Sequence, residues 1–383
     1  MISWRLERHR LLDLRLMVGM LLPLLAGVAA FGWRALGTIF LVTAGAIAGR
    51  YVLHRLRNWP ANVTRWSLFT RGVLVALFLP PTMFDMDRLL MQPNALWPLA
   101  VAIGLTLSVL TWLVARAGTA RVSPVVLTLL LTIVLSGVLS LNDRVLQPNH
   151  IFTGDLLSPH VVPHPTATAE PWLASHPTDG SVVRQVEPAA RHLDDYLRAR
   201  VEGDARAVTI ARLVSDDLPP LEDLVVIGHP RTLGAASSIA IVLGGLFLLH
   251  RRVVAFRVPA VMVIATLAAL FVVPVPVIVS PSEVSRIWLA GHDPRVGWAM
   301  GVTFVNYVLM ASPALLVIFF VAPLPGIRPL GGRAAMVYAA LFGLLCGVLT
   351  SLVSLDFGAL IAVGLAQLIA PSLERWLPPL RGC

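Results

Sequence analysis

The strongest constraint on this 383-residue chain is a series of ten apolar stretches, roughly 16–33, 35–53, 72–84, 96–115, 122–141, 236–249, 258–280, 298–322, 334–353 and 357–371. Most approach the ~20 residues that a helix needs to cross a bilayer. Backbone amides in lipid must be satisfied within the chain, which restricts spanning segments to helices or closed barrels. The long uniform runs, without period-two alternation, select helices. Charged residues make up 13% of the chain, about half the share of a soluble domain. The expected class is therefore an all-α polytopic membrane protein, which removes soluble enzymes from consideration.

Charge orders the stretches in the membrane. All 30 basic residues are arginine. Residues 142–235 hold 13 acids against 8 arginines, and the remainder holds 8 acids against 22 arginines. With the N-terminus in the cytoplasm, Arg50, Arg55, Arg57, Arg65 and Arg71 fall inside. So do Arg116 and Arg121, then Arg251, Arg252 and Arg257, then Arg328 and Arg333, and finally Arg375 and Arg381. The acidic 142–235 segment falls outside. That is the distribution the positive-inside rule requires, so the +9 formal charge calls for no nucleic acid. Arg5, Arg8, Arg10 and Arg15 precede the first run, which is expected to be a retained span rather than a cleaved signal. The expected location is a bacterial inner membrane, with both termini cytoplasmic.

Two stretches are short. Residues 72–84 end at Pro80-Pro81, and residues 236–249 end at His250-Arg251-Arg252. Each is worth ~20 Å of helix against a ~30 Å core. Short or interrupted segments in corresponding halves of a transporter fold point to an internal repeat with a central site. The expected organisation is a first half at 1–141, an extracytoplasmic cap at 142–235 and a second half at 236–383, the halves being inverted repeats of five segments with broken or half-length helices. The stretch 222–252 is the most telling, because Gly234, Ala235, Ala236, Ser237 and Ser238 lead straight into an apolar helix. Irregular small-residue backbone survives at membrane depth only where protein buries it or where it lines a cavity.

Few residues suit catalysis or metal binding. Six of the ten histidines lie in the outer segment; His160 and His164 are four apart, but Pro159 and Pro163 argue against a helix there. Cys346 and Cys383 cannot hold an iron–sulfur cluster by themselves. No acid lies in a span interior, which speaks against carboxylate-based ion coupling. No metal site and no catalytic residue is expected.

Four motifs, in order, carry a resemblance. They are RWSLFTRGVLVALFLPP at 65–81, GTARVSPVV at 118–126, RTLGAASSIAIVLGGLFLL at 231–249 and FFVAPLPGIRP at 319–329. Together they resemble the Rnf D and Nqr B family, membrane components of ion-translocating, NADH-linked electron transport complexes. The resemblance implies a subunit without activity alone, partnered by other integral and peripheral redox subunits. It also implies a bound FMN or riboflavin that relays electrons. In the family FMN is esterified to the last Thr of an S/T-G-A-T motif after the fifth span. This chain has HIFTGDLL at 150–157, in which Thr153 and Gly154 match but Leu156 stands at the acceptor. Thr168, in Pro165-Thr166-Ala167-Thr168, is the other acceptor in reach. The family's glutamate before T-S is Ala235, and its aspartate before Pro is Leu324.

Noncovalent flavin is therefore expected over covalent flavin. Gly234, Ser237 and Ser238 would offer a helix start to its polar edge, though packing by small residues accounts for them equally. Arg71 would clamp a flavin phosphate or lie at the interface as a snorkelling cation. A channel or permease for a small solute, without a redox cofactor, fits the same architecture.

Overall fold

In the computed structural model the residues described are 2–56, 63–79, 97–117, 123–138, 225, 232–280, 283–288, 298–324 and 332–377. The chain is helical through the membrane domain. Helices α1 (Ile2–Phe31) and α2 (Trp33–Leu56) are followed by α3 (Arg65–Leu77), α4 (Trp97–Ala117) and α5 (Pro124–Val138). After a 3-10 turn at Leu233–Ala235 come α6 (Ser238–His250) and α7 (Arg257–Val272). An antiparallel hairpin, β1 (Pro274–Ser280) and β2 (Glu283–Trp288), pairs Val275 with Ile287 and Val277 with Ser285. Helices α8 (Trp298–Ala311), α9 (Ala314–Phe320), α10 (Gly332–Leu352) and α11 (Gly358–Trp376) complete the chain.

Among the described residues, four helices are long and apolar enough to cross a membrane alone: Leu11–Phe31 within α1, then α2, α4 and α10. The pair α8–α9, bent by 63°, makes a fifth crossing if taken as one span. Aromatic side chains mark the crossing depth. Trp33 and Tyr51, exposed near the two ends of α2, are eighteen residues apart, or ~27 Å of helix. That separation matches the interfaces at which such rings settle.

Glycine backbones set the tightest helix pairs. Along α2 and α4, an added Cβ on Gly45 would lie 2.5 Å from the Val101 carbonyl oxygen, and one on Gly49 would lie 2.9 Å from Ser108 Cβ. Gly104 abuts the Val42 carbonyl, and the Ser108 hydroxyl donates to the Ala46 carbonyl. Residue numbers rise together, so α2 and α4 run parallel. The same holds for α7 and α10, where Gly343 fits against Met262 and Ala265, and Gly347 against Thr266 and Ala269. By contrast α1 and α6 run antiparallel, since Gly19 faces Leu248 and Gly244 while Gly27 faces Leu233. Small residues allow this approach in lipid, where burial of apolar surface supplies no drive.

Three sequence expectations need correction. The third segment starts at Arg65 rather than residue 72, because the Thr64 hydroxyl caps the helix by accepting from the Ser67 amide at 3.1 Å. The run 258–280 does not stay helical. Its last part is strand β1, where Pro274 and Pro276 cannot donate the amides a helix needs. The run 298–322 is broken at Ser312-Pro313 for the same reason, and the Ser312 hydroxyl there accepts from the Ala314 amide at 3.4 Å.

Candidate functional site at the meeting of two half-length helices

Helices α3 and α6 have 13 residues each, ~20 Å of helix, and neither crosses the core alone. Local chemistry fixes where each stops. The chain leaves α3 at Phe78, where the amides of Phe78 and Leu79 turn back to Val75 and Ala76, just before Pro80-Pro81. Helix α6 begins at Ser237, whose hydroxyl accepts from the Ala240 amide at 3.3 Å and donates to the Val225 carbonyl at 3.2 Å. It ends on Arg251 and on Arg252, at φ 54°.

The two inner ends meet. The Leu233 amide donates to the Leu79 carbonyl at 3.1 Å. An added Cβ on Gly234 would lie 2.8 Å from both Leu77 Cβ and Leu316 Cδ2. On the other side, one on Gly27 would lie 2.5 Å from the Leu233 carbonyl oxygen. Helix α9 fills the space beneath, with Phe319 against Gly245 and Phe320 against Gly244. Its residues Leu316, Val317, Ile318 and Phe320 are fully buried, and so is the α3 face from Val73 to Leu77. The junction is a filled apolar knot around a bent backbone.

The expected site residues therefore separate into three groups. Gly234, Ser237 and Ser238 lie together at the knot: Gly234 is wedged, and the Ser237 hydroxyl is spent on its helix cap. The Ser238 and Thr232 hydroxyls are buried there without a hydrogen-bond partner. Arg71 stands apart, half-buried on α3, where the charge of Asp13 on α1 acts on it. Thr153, Gly154 and Thr168 lie outside the described residues, as does the loop 325–331. Sequence reasoning missed that Asp13 comes near enough for its charge to act on Arg71, and it missed α9 as the floor of the knot. The dipeptide Ser312-Pro313 inside an apolar run is the signal that would have found the α8–α9 break.

Around Gly234 the described residues pack closely. An added methyl at Gly234 would meet Leu77 and Leu316, both of which are buried.

The sequence model of the NQR2, RnfD, RnfE family matches residues 161–381. The chain is also similar to the D component of the ion-translocating oxidoreductase complex of Halorhodospira halophila, being 28% identical over 176 residues. That alignment covers 45% of this chain and 43% of the relative, so the chain spans less than half the length of the curated relative it matches.

Proposed function

The chain belongs to the NQR2, RnfD, RnfE family, and on that premise we propose that it is a membrane subunit of an ion-translocating or NADH-linked electron transport complex. The observation that carries the reading is the family match, which runs from the outer segment through all of the second half. The Halorhodospira relative is named for the same kind of complex. The chain's contribution is a rigid bundle in which two half-length helices are locked end to end. Its partners are the other integral and peripheral subunits of the complex.

The ten segments form two inverted repeats of five in this proposal. Helices α1 and α6 would head the two halves, and their antiparallel packing is the relation that inversion requires. In each half the second and fourth members, α2 with α4 and α7 with α10, pair in parallel through glycines. The third members, α3 and the bent α8–α9, are both interrupted, and α6, which heads the second half, is also only 13 residues long. The arginine-rich helix ends then face the cytoplasm of a bacterial inner membrane.

We further propose that the subunit carries a bound FMN or riboflavin. Gly234 is closely packed against Leu77 and Leu316, which favours a flavin held by the 142–235 segment, at Thr168 or beside Thr153-Gly154, over one seated at Gly234.

The test is purification of the tagged chain from its native membrane in mild detergent. Co-purification of further redox subunits, with the flavin absorbance band, is expected. A fluorescent band at this chain's mass in a denaturing gel, lost in Thr168→Ala, would establish the covalent link. A colourless chain that purifies alone and carries a solute into liposomes would replace this reading with the permease.

A further inference from the structure

Asn306 carries an amide on the outward face of α8. Taken as one crossing, the bent α8–α9 pair holds this residue inside the apolar core. Trp298, eight residues earlier, is exposed and packs on Phe271 near the end of α7, with ring centroids 6.0 Å apart. An exposed Trp at the start of a membrane helix marks the interface. Eight residues of helix then carry Asn306 ~12 Å inward, close to the middle of a ~30 Å core.

The amide's one hydrogen bond fixes its orientation. Its Nδ2 donates to the Val302 carbonyl at 3.0 Å. A carbonyl only accepts, so the nitrogen must face it, and Oδ1 is turned away. Among the described residues no donor reaches Oδ1. The helix wheel shows which way the amide points. Val302, one turn back on the same side, is 40% exposed, and Asn306 itself is partly exposed. Phe304 and Val308, on the opposite side, are buried.

An acceptor without a donor is costly in hydrocarbon, and acyl chains supply none. Asn side chains in membrane helices are matched by hydrogen bonds to a neighbouring helix. We infer that the Val302–Asn306 face of α8 is the docking surface for a transmembrane helix of another integral subunit, which presents a Ser, Thr, Asn or Gln donor to Asn306 Oδ1. This rests on the proposed place of the chain in a complex of several subunits. The Halorhodospira relative is named as one component of such a complex, which favours a different subunit over a second copy of this chain.

The test is photocrosslinking of the full chain, made in its native membrane with benzoylphenylalanine in place of Val302 and irradiated after extraction into mild detergent. Asn306 stays intact in that chain. The expected product is heavier by one integral subunit, with the crosslink on a transmembrane segment that carries one of the four donor residues beside it. Asn306→Leu should leave the chain's own unfolding temperature unchanged or higher, since leucine suits both helix and lipid. It should cut the crosslinked product by about fivefold, the factor set by one hydrogen bond between membrane helices. Asn306→Gln keeps the acceptor and should retain most of the product. Native yield in Asn306→Leu would overturn the docking surface. So would crosslinks to lipid or within this chain alone while other subunits still co-purify, and the complex would then stand without it. A product of twice this chain's mass would overturn the choice of partner in favour of a second copy. A chain that purifies without other subunits would overturn the complex and the docking surface together.

Discussion

The Leu233 amide reaches the Leu79 carbonyl at 3.1 Å, joining the ends of two helices that belong to opposite halves of the chain. Within a bilayer both groups would otherwise lack a partner, at a cost of several kcal/mol each in hydrocarbon. Each half-length helix thereby satisfies the backbone that the other leaves open. Gly234, next to this bond, is packed against Leu77 and Leu316.

Gly234→Ala tests how closed this junction is. The new methyl would lie 2.8 Å from Leu77 Cβ and Leu316 Cδ2, and 3.0 Å from the Leu77 carbonyl oxygen. Overpacking of this kind costs about 1–3 kcal/mol. A lower unfolding temperature in detergent is the expected readout. Leu316→Ala in the same chain removes one of the two side-chain obstacles and should restore part of the loss. A Gly234→Ala protein as stable as the native chain would show that the helix ends are loosely held.

Backbone contact predicts a harsher result in the parallel pairs. Gly104 of α4 abuts the carbonyl of Val42, and Gly347 of α10 lies against the Thr266 carbonyl, where an added Cβ would stand 2.8 Å from the oxygen. Neither neighbour can rotate away. Leucine at either position should prevent recovery of monodisperse protein by size exclusion. Ser108→Ala, which only deletes the hydroxyl bonded to the Ala46 carbonyl, should cost about 0.6 kcal/mol, the usual worth of a hydrogen bond between membrane helices. Equal damage from Ser108→Ala and Gly104→Leu would contradict the close-packed geometry.

Arg71 and Asp13 should behave as one unit. Asp13→Asn removes a negative charge that acts on the half-buried guanidinium of Arg71, and Arg71→Gln removes the positive charge from the other side of that interaction. Each single change should destabilise, and the double change should cost less than the two together, with a coupling of about 0.5–3 kcal/mol. Strict additivity in the unfolding data would mean that the two charges do not meet. If Arg71 instead clamps a flavin phosphate, Arg71→Gln would lower flavin content while Asp13→Asn left it unchanged.

Much of this architecture is legible in the residues because lipid restricts the choices so severely. Run length and arginine placement announce a helical membrane protein, and the Pro80-Pro81 and His250-Arg251-Arg252 boundaries announce two half-length helices. Hydropathy carries no information on partners, however. Nothing in the string around Gly234 says that Leu77 and Leu316 pack against it. Asp13 and Arg71 are 58 positions apart, so only packing brings them together. Boundaries fail where a cap or a proline outranks hydropathy, at Thr64, at Pro274-Val275-Pro276 and at Ser312-Pro313.

The parallel course of α2 and α4 makes a demand on the chain between them. One helix ends at Leu56 and the other begins at Trp97, and for both to point the same way the intervening residues must cross the membrane once. Among the described residues only α3, ~20 Å long, lies there. Single cysteines at Trp66 and at Trp97, in a background lacking Cys346 and Cys383, should then react with an impermeant thiol reagent from opposite sides of the membrane. Cysteine at Arg252 should share a side with the one at Trp66, because α6 runs antiparallel to α1 and ends beside Arg15. Labelling of the Trp66 and Trp97 positions from the same side would make α3 a re-entrant stub and remove the parallel packing on which the inverted arrangement of the two halves depends.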